Sequence, residues 1–342
     1  MRAPSAWTTG LSELENALKS LVIDRPLPLY RMMAYQMGWV DQNGEEQPGV
    51  TAPERARAPL TMLVCRSMGG RDADALPYAC AVEYLYNHFL VHDDVRDGNT
   101  ERAGRGSVWW VWGPAQAINT GDGMHALARL ALFEIGEGGK SPEELSLATQ
   151  VLDDAGVRTC EGQYLDIAYQ ERLNLMVDEY LKMAEAQNGS LAGAACRLGA
   201  LASGRRGDEA LEAVASFGAK LGTAMRLGED LRMFWPEGER DQVQQGRLIS
   251  KKKTLPVAHV LERGSHADRR KVGEMYMGRV IDPEVASQLI ATLEAAGSRE
   301  FTECAADRLL EEALAALEPV GFTGDTLQEI EQTARYLTGR GV

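Results

Sequence analysis

The chain has 342 residues, 44% of them hydrophobic and 25% charged, which is the composition of an ordinary globular protein with a sizeable core. Its formal net charge is −14 and it carries no dense Lys/Arg stripe, which argues against nucleic-acid binding. The five cysteines are widely spaced and form no CxxC pair, which favours a reducing, cytoplasmic location. No apolar run reaches the roughly 18 residues of a transmembrane helix, so we expect no transmembrane segment.

Helical periodicity dominates, and strand signals are nearly absent. In chain order, helices are predicted near 9–21, 55–69, 74–97, 112–136, 176–204, 208–235 and 299–317. Two further helices are predicted to begin at Ser141-Pro142, with Glu144 completing a capping box, and at Asp282-Pro283. Loops are predicted at 41–53, 98–107, 136–140 and 236–250. The sequence therefore predicts a single all-α domain over residues 1–342, with 1–26 as an N-terminal extension.

The strongest local signal is the acidic run His92–Asp97 near the end of a predicted helix. Asp93 and Asp97 are four residues apart, so their carboxylates lie one turn apart on the same face. Two like charges at this spacing need a neutralising cation, and Mg²⁺ prefers carboxylates, phosphate oxygens and water. Tyr86 and Phe89 lie on the same stripe toward the N-terminus. A solvated acidic cluster is the alternative, but a ligand with an apolar tail and a diphosphate head fits this layout.

A series of motifs in this order resembles the trans-prenyl diphosphate synthases. Glu83–Asp97 resembles the first aspartate-rich region of that family, and the other matching segments are Arg102–Trp109, Trp112–Asp122, Gly162–Asp166, Leu227–Met233 and Lys252–Pro256. The resemblance implies an all-α, single-domain class I terpenoid synthase fold, a helical bundle around a central cavity. It also implies Mg²⁺, with three ions, an allylic prenyl diphosphate substrate and a homodimer.

The same resemblance implies roles for individual residues. The implied catalytic residues are Asp93, Asp94, Asp97 and Lys252, of which Lys252 grips the leaving diphosphate. The implied metal ligands are Asp93, Asp97, Glu229 and Asp230. The implied substrate-binding residues are Tyr86, Phe89, Arg102, Gln163, Asp166, Gln187 and Arg226.

The second acidic motif departs from the family pattern. A DDxxD is expected, but the chain has Glu229–Met233, so that Met233 replaces the last Asp. Glu229 and Asp230 are still expected to hold a metal ion. Glu237, eight residues after Glu229, offers an alternative metal ligand at a spacing reminiscent of class I terpene cyclases; a solvated loop acid is its simpler interpretation.

The contacts to the second substrate, isopentenyl diphosphate, depart further. The changed positions are the segment Pro53–Pro59, which does not align cleanly, Ala103 for an Arg, Tyr86 for a His, Gln187-Asn188 for a Lys-Thr pair, and Arg226 for a Gln. Each charged hydrogen bond contributes on the order of 1.5–3 kcal/mol, so the absence of two or three weakens binding by orders of magnitude. Arg55, Arg57 and Arg226 are possible compensating phosphate contacts or, alternatively, surface ion-pair partners.

These departures favour a class I terpene synthase or cyclase that ionises an allylic diphosphate without elongating it. Aromatic candidates for a wall that steers the carbocation are Tyr86, Phe89, Tyr164, Phe234 and Trp235, of which Tyr86 and Phe89 are preferred. In the family that the chain resembles, bulk at the fourth and fifth positions before the first Asp limits tail length. Phe89 and His88 occupy these positions, so the resemblance implies a tail of C10 to C20. The alternative is a chain-elongating prenyl diphosphate synthase, and the second alternative is a non-catalytic regulatory subunit.

Overall fold

The computed structural model describes residues 3–46, 55, 57–205, 207–236, 238, 242–278 and 281–339. The helices are α1 (Ser5–Thr8), α2 (Leu11–Ser20), α3 (Pro28–Gln36), α4 (Ala58–Ser67), α5 (Asp72–Asp97), α6 (Val108–Trp112), α7 (Pro114–Glu137), α8 (Pro142–Tyr169), α9 (Val177–Ala184), α10 (Ser190–Ala202), α11 (Asp208–Phe234), α12 (Gln242–Ile249), α13 (Leu255–Arg263), α14 (His266–Met277), α15 (Pro283–Ala295), α16 (Ser298–Ala315) and α17 (Gly324–Leu337). A π-helix (Glu185–Gly189) joins α9 to α10, and a 3₁₀ helix covers Glu318–Val320.

The prediction of an all-α fold is confirmed. The described strands are a single two-stranded antiparallel hairpin of β1 (Glu101–Arg102) and β2 (Arg105–Gly106), directly after α5. None of the described helices combines the length and the apolar character that a membrane-spanning segment needs.

Helix α10 is buried along most of its length and packs against α4, α5, α8 and α11. Its small residues make this close packing possible. A Cβ at Gly193 would lie 2.9 Å from the Ala215 carbonyl oxygen, and a Cβ at Gly199 would lie 2.3 Å from the Thr61 carbonyl oxygen. Glycine at these positions therefore lets the backbones of neighbouring helices approach.

The capping signals mark helix starts as predicted. Ser141 Oγ accepts a hydrogen bond from the Glu144 N–H at 3.3 Å, and the Glu144 carboxylate accepts from the Ser141 N–H at 3.1 Å. This reciprocal pair satisfies two backbone donors at the start of α8. Asp282 Oδ1 accepts from the Glu284 and Val285 N–H groups in the same way at the start of α15.

Three local predictions were wrong. The loop predicted at 236–250 contains α12, and the loop predicted at 98–107 contains the β1–β2 hairpin. The helix predicted over 176–204 begins as α9 and is interrupted by the π-helix, so the register changes before α10. Glu237 lies outside the described residues, as do several positions of the segment Pro53–Pro59.

The N-terminal segment contributes to the main core. Leu14 and Leu18 of α2 are completely buried. Tyr84 of α5 donates a hydrogen bond from its hydroxyl to the Leu18 carbonyl oxygen at 2.6 Å. Helix α2 therefore packs against α5, the helix that carries the acidic run.

Candidate active site

The acidic run lies in the last two turns of α5. Gly98, in the left-handed conformation with φ 69°, ends the helix directly after Asp97. The negative end of the helix dipole lies here, which disfavours carboxylates. Asp93, Asp94 and Asp97 therefore need cationic partners, and each of them has one.

Asp94 is the buried member of the three, with 1% of its surface exposed. Arg102 on β1 donates two parallel hydrogen bonds to its carboxylate, at 2.8 and 2.7 Å, and Asn99 donates a third at 3.2 Å. Such a bidentate pair fixes geometry as well as charge. Asp94 thus anchors the hairpin that follows α5.

Asp93 and Asp97 share one guanidinium group. Arg96 Nη1 lies 2.8 Å from Asp93 Oδ1, while Nε and Nη2 donate to the two oxygens of Asp97 at 2.9 Å each. Gln163 on α8 also donates to Asp93 Oδ1 at 2.7 Å. Burial raises the pKa of Asp93 to about 6. Burial acts in the same direction on Asp97, but Arg96 and Lys252 outweigh it and lower the pKa of that carboxyl.

Lys252 joins three parts of the chain. Its Nζ lies 2.6 Å from Asp166 Oδ2 on α8 and 3.0 Å from Asp97 Oδ1 on α5, and only 2% of the residue is exposed. Lys252 precedes α13 in the segment Lys252–Pro256. This buried cation links Asp97, a predicted catalytic residue of the first acidic run, to Asp166, a predicted substrate-binding residue of the segment Gly162–Asp166.

The second acidic segment lies near the end of α11. Asp230 is completely buried and accepts hydrogen bonds from Arg247 Nη2 at 2.9 Å, from the Leu255 N–H at 3.0 Å and from the Tyr180 hydroxyl. Arg226 Nε lies 3.4 Å from the same carboxylate. Its oxygens are therefore fully occupied by protein groups.

The π-helix Glu185–Gly189 contributes residues to the site from the segment between α9 and α10. A Cβ at Gly162 would lie 2.5 Å from the Gln187 backbone nitrogen, so α8 and the π-helix are in direct backbone contact there. The extra residue of a π-turn shifts the side chains that follow it, and such turns are frequent at functional sites. Gln187 and Asn188 both line the cavity described next.

These groups surround one cavity of about 730 Å³. Among the described residues, its cationic side chains are Arg57, Arg96, Arg102, Arg226, Arg232, Arg247 and Lys252, and its acidic side chains are Asp93, Asp97, Glu101, Asp166 and Glu229. Cations therefore outnumber carboxylates in a chain whose net charge is −14. A larger groove of about 1060 Å³ between α8, α10, α11 and α16 contains neither acidic segment.

One wall of the cavity is apolar. Tyr86, Phe89, Leu90 and Leu191 line it, as predicted for Tyr86 and Phe89. The Arg57 guanidinium lies 5.0 Å from the centre of the Tyr86 ring, a cation–π geometry.

The other aromatic candidates lie elsewhere. Tyr164 is 71% exposed, and Phe234 and Trp235 pack in a second core cluster with α13 and α16. These three residues, which were secondary candidates beside the preferred Tyr86 and Phe89, are not among the cavity-lining residues. The helical period of α8 turns Gln163 and Asp166, three residues apart, toward the cavity and Tyr164 toward the outside.

The end of α5 fits a magnesium ion. Asp93 and Asp97 line the cavity with hard oxygen donors one helical turn apart. Burial raises the pKa of Asp93, and a divalent cation beside the carboxylate would favour its ionised form. Asp230 on α11 does not fit in the same way, because it is completely buried and, unlike Asp93 and Asp97, is not among the residues that line the cavity.

Sequence reasoning missed three cations of this site, Arg96, Arg232 and Arg247. Arg96 has a detectable signal for Asp93, because residues three apart lie on the same face of a helix; its contact with the adjacent Asp97 is seen only in the structure. Arg247 has no detectable signal in the sequence, since its contact with Asp230 depends on how α12 packs against α11. Of the three possible compensating arginines, Arg57 and Arg226 line the cavity, whereas Arg55 pairs with Glu15 at 2.6 Å outside it.

Comparison with known proteins gives consistent results. The family model for polyprenyl synthetase matches residues 51–293. A (2E,6E)-farnesyl diphosphate synthase of Mycobacterium tuberculosis is 30% identical over 90% of this chain and 85% of that protein, and a geranylgeranyl diphosphate synthase of the same organism is 32% identical over 85% and 81%. The crystal structure of a polyprenyl synthetase from Streptomyces coelicolor covers 97% of this chain and 98% of its own, with 29% identity and a TM-score of 0.86. The chain therefore belongs to the polyprenyl synthetase family of trans-prenyltransferases.

Proposed function

We propose that this protein is a Mg²⁺-dependent, chain-elongating prenyl diphosphate synthase that joins an allylic prenyl diphosphate to isopentenyl diphosphate. The observation that carries the proposal is the cavity itself. Seven cationic side chains line it beside a carboxylate pair suited to Mg²⁺, and an apolar wall adjoins them. Two diphosphate groups require more positive charge than one, and the cation excess suits a site that holds both.

The preferred interpretation of the sequence, a non-elongating terpene synthase, is not supported. The relatives named above are a farnesyl and a geranylgeranyl diphosphate synthase, which favours the elongating alternative. Ala103, Tyr86 and Gln187 stand where the family pattern has phosphate-binding side chains. Arg57 and Arg226, which line the cavity from other positions, offer replacement contacts. A guanidinium group binds phosphate oxygens through two parallel N–H donors.

We assign the following roles. Asp93 and Asp97 hold Mg²⁺, which when bound neutralises the diphosphate and polarises the allylic C–O bond. Gln163 orients Asp93 through its 2.7 Å hydrogen bond. Asp166 holds Lys252 in the cavity, where its ammonium group stabilises negative charge on the leaving diphosphate.

Further roles concern the remainder of the cavity. Asp94 keeps Arg102 at the mouth, where the guanidinium group contributes to diphosphate binding. Tyr86 and Phe89 form the wall against which the prenyl tail lies, and their ring faces favour positive charge on the allylic carbons. Gln187 lines the cavity, where its side-chain amide N–H groups are donors suited to a diphosphate oxygen.

The test is a product assay with Mg²⁺ and C10, C15 or C20 allylic diphosphate, with and without isopentenyl diphosphate. We expect a longer prenyl diphosphate only when isopentenyl diphosphate is present. A hydrocarbon or alcohol formed from the allylic substrate alone would overturn the proposal and restore the terpene-synthase interpretation. Asp93→Ala serves as the inactive control.

We also propose a homodimer formed through the outer faces of α7 and α8. These adjacent helices expose large apolar side chains: Ile118, Leu130, Phe133, Val157, Tyr164 and Ile167. A self-complementary face of this kind suits a two-fold interface. Sedimentation should give a dimer mass for the wild type and a monomer mass for Phe133→Asp; equal masses would contradict the interface.

A further inference from the structure

The acidic segment of α11 is chemically different from that of α5. On α5, Asp93 and Asp97 face the cavity as a pair. On α11, Met233 stands at the position of the second carboxylate and is completely buried. Asp230 is completely buried as well, and Glu229, with 40% of its side chain exposed, is the acid of this segment that lines the cavity.

Two arginines converge on this segment. Arg247 Nη2 lies 2.9 Å from Asp230 Oδ1, and its Nη1 lies 3.7 Å from Glu229 Oε2. Arg226 Nε lies 3.4 Å from Asp230 Oδ1, four residues earlier on the same helix. Both arginines are nine-tenths buried or more, and both line the cavity. The place where a cation between carboxylates would lie is therefore occupied by guanidinium groups.

Arg226 still has donor capacity. Its Nη2 is buried and has no hydrogen-bond partner within the part of the chain that the structure describes. Asp166 Oδ1 lies 4.0 Å from this nitrogen, beyond hydrogen-bond distance, and is itself without a hydrogen-bond partner among the same residues. A buried, unpaired guanidinium N–H that borders a cavity is a binding group for an anion.

We propose that Arg226 and Arg247 take the place of a divalent cation at the end of α11, so that a diphosphate is held by metal at α5 and by guanidinium groups at α11. This inference rests on the proposed function, because it concerns how the same site holds its diphosphate. It replaces the expectation that Glu229 and Asp230 ligate a metal ion.

The first experiment counts metal ions. Mn²⁺ replaces Mg²⁺, inorganic pyrophosphate serves as the probe, and free Mn²⁺ is measured by electron paramagnetic resonance. We expect Glu229→Gln to bind as many Mn²⁺ ions per chain as the wild type, with an affinity within twofold. Asp93→Asn should lose at least one ion. Loss of one ion in Glu229→Gln would overturn the proposal, and this exposed position allows the change without disturbing the fold.

The second experiment measures pyrophosphate binding in excess EDTA by isothermal titration calorimetry. Without metal, we expect the wild type to bind pyrophosphate and Arg247→Met to bind it at least tenfold more weakly, since a charged hydrogen bond is removed. Arg270→Gln, an exposed arginine paired with Glu274, is the matched control. Equal affinities of wild type and Arg247→Met would overturn the proposal.

Arg226→Lys is a second variant, which still tests the proposal if Arg247→Met has a folding defect. Lysine keeps the charge but lacks the planar donor fork, so metal-free pyrophosphate binding should weaken while the melting temperature stays close to that of the wild type. Unchanged binding in Arg226→Lys would contradict the role of its Nη2. Neither binding experiment depends on turnover, so a failed product assay and a failed guanidinium assignment are separable results.

Discussion

Arg96 Nη1 lies 2.8 Å from Asp93 Oδ1, and the same guanidinium group makes a bidentate contact with Asp97. The helix that presents the metal-binding carboxylates therefore carries its own counter-ion between them. This arrangement offsets the repulsion between two carboxylates at the negative end of a helix. It also means that a metal ion must displace Arg96 before both carboxylates are free to bind it.

The first prediction follows from this competition. In Arg96→Gln the carboxylates lose their internal cation, so divalent metal should bind more tightly. Partly exposed ion pairs contribute about 1 kcal/mol or less, so we expect the dissociation constant for Mn²⁺ without substrate to fall roughly three- to fivefold. Electron paramagnetic resonance gives this constant directly. Arg270→Gln should leave it unchanged, and an unchanged or larger constant in Arg96→Gln would show that Arg96 does not compete with metal.

The second prediction concerns the buried pair of Asp94 and Arg102. Removing one partner of a buried, bidentate ion pair leaves an uncompensated charge, so Asp94→Asn should lower the free energy of unfolding by about 3 kcal/mol. The matched control is Asp178→Asn, whose partner Lys182 lies 2.6 Å away with both side chains at least 73% exposed. That change should cost less than about 1 kcal/mol. Urea denaturation checks both, and equal losses would contradict the structural role of Asp94.

The third prediction tests the apolar wall. Phe89 is 5% exposed and lines the cavity, so Phe89→Ala should enlarge the space for the prenyl tail. We expect the main product to become longer by at least one C5 unit, as measured by chromatography of the dephosphorylated products. Phe301→Ala is the control, because Phe301 stacks on His259 outside the cavity. A lower rate with the same product length would mean that another side chain limits the tail.

The sequence sufficed for features that depend on local spacing. The i, i+4 relation of Asp93 and Asp97 and the capping box at Ser141 follow from helix geometry alone. The motif around Lys252 could be recognised, and its side chain does reach Asp97 and Asp166. The residues of each of these features lie within one helix or one short segment, so the feature can be found without knowing the tertiary structure.

Features that depend on packing between distant segments could not be predicted. Asp230 was expected to bind metal because its sequence position matches a metal motif. The ion pair between Asp230 and Arg247 forms only when α12 packs against α11. Likewise, the π-turn that places Gln187 in the cavity lies in direct backbone contact with Gly162 of α8, and a contact between distant segments cannot be read from local sequence.

A histidine cluster lies between α5 and α7, on the side of α5 away from the cavity. His88 Nδ1 lies 3.0 Å from the Gly121 carbonyl oxygen, and the rings of His92 and His125 lie within 5.0 Å of the His88 ring. Charged groups that face the cluster are Asp122 on α7, Asp153 on α8, and Arg129, whose Nη1 lies 3.0 Å from His125 Nδ1. Burial, followed by the neighbouring His92, lowers the pKa of His88 from 6.5 to about 4.

The fourth prediction is that this buried neutral histidine makes stability depend on pH. The folded-state pKa is depressed, so the folded state binds fewer protons than the unfolded state between pH 6.5 and 4. The contribution of His88 to stability is therefore fully present above pH 6.5 and is lost as the pH falls toward 4, by at most about 1.4 kcal/mol per pH unit. His88→Gln keeps a donor for the Gly121 carbonyl group and cannot titrate. Urea denaturation at pH 5 and pH 7 should thus show a smaller difference in His88→Gln than in the wild type, and equal differences would assign the acid sensitivity to other groups.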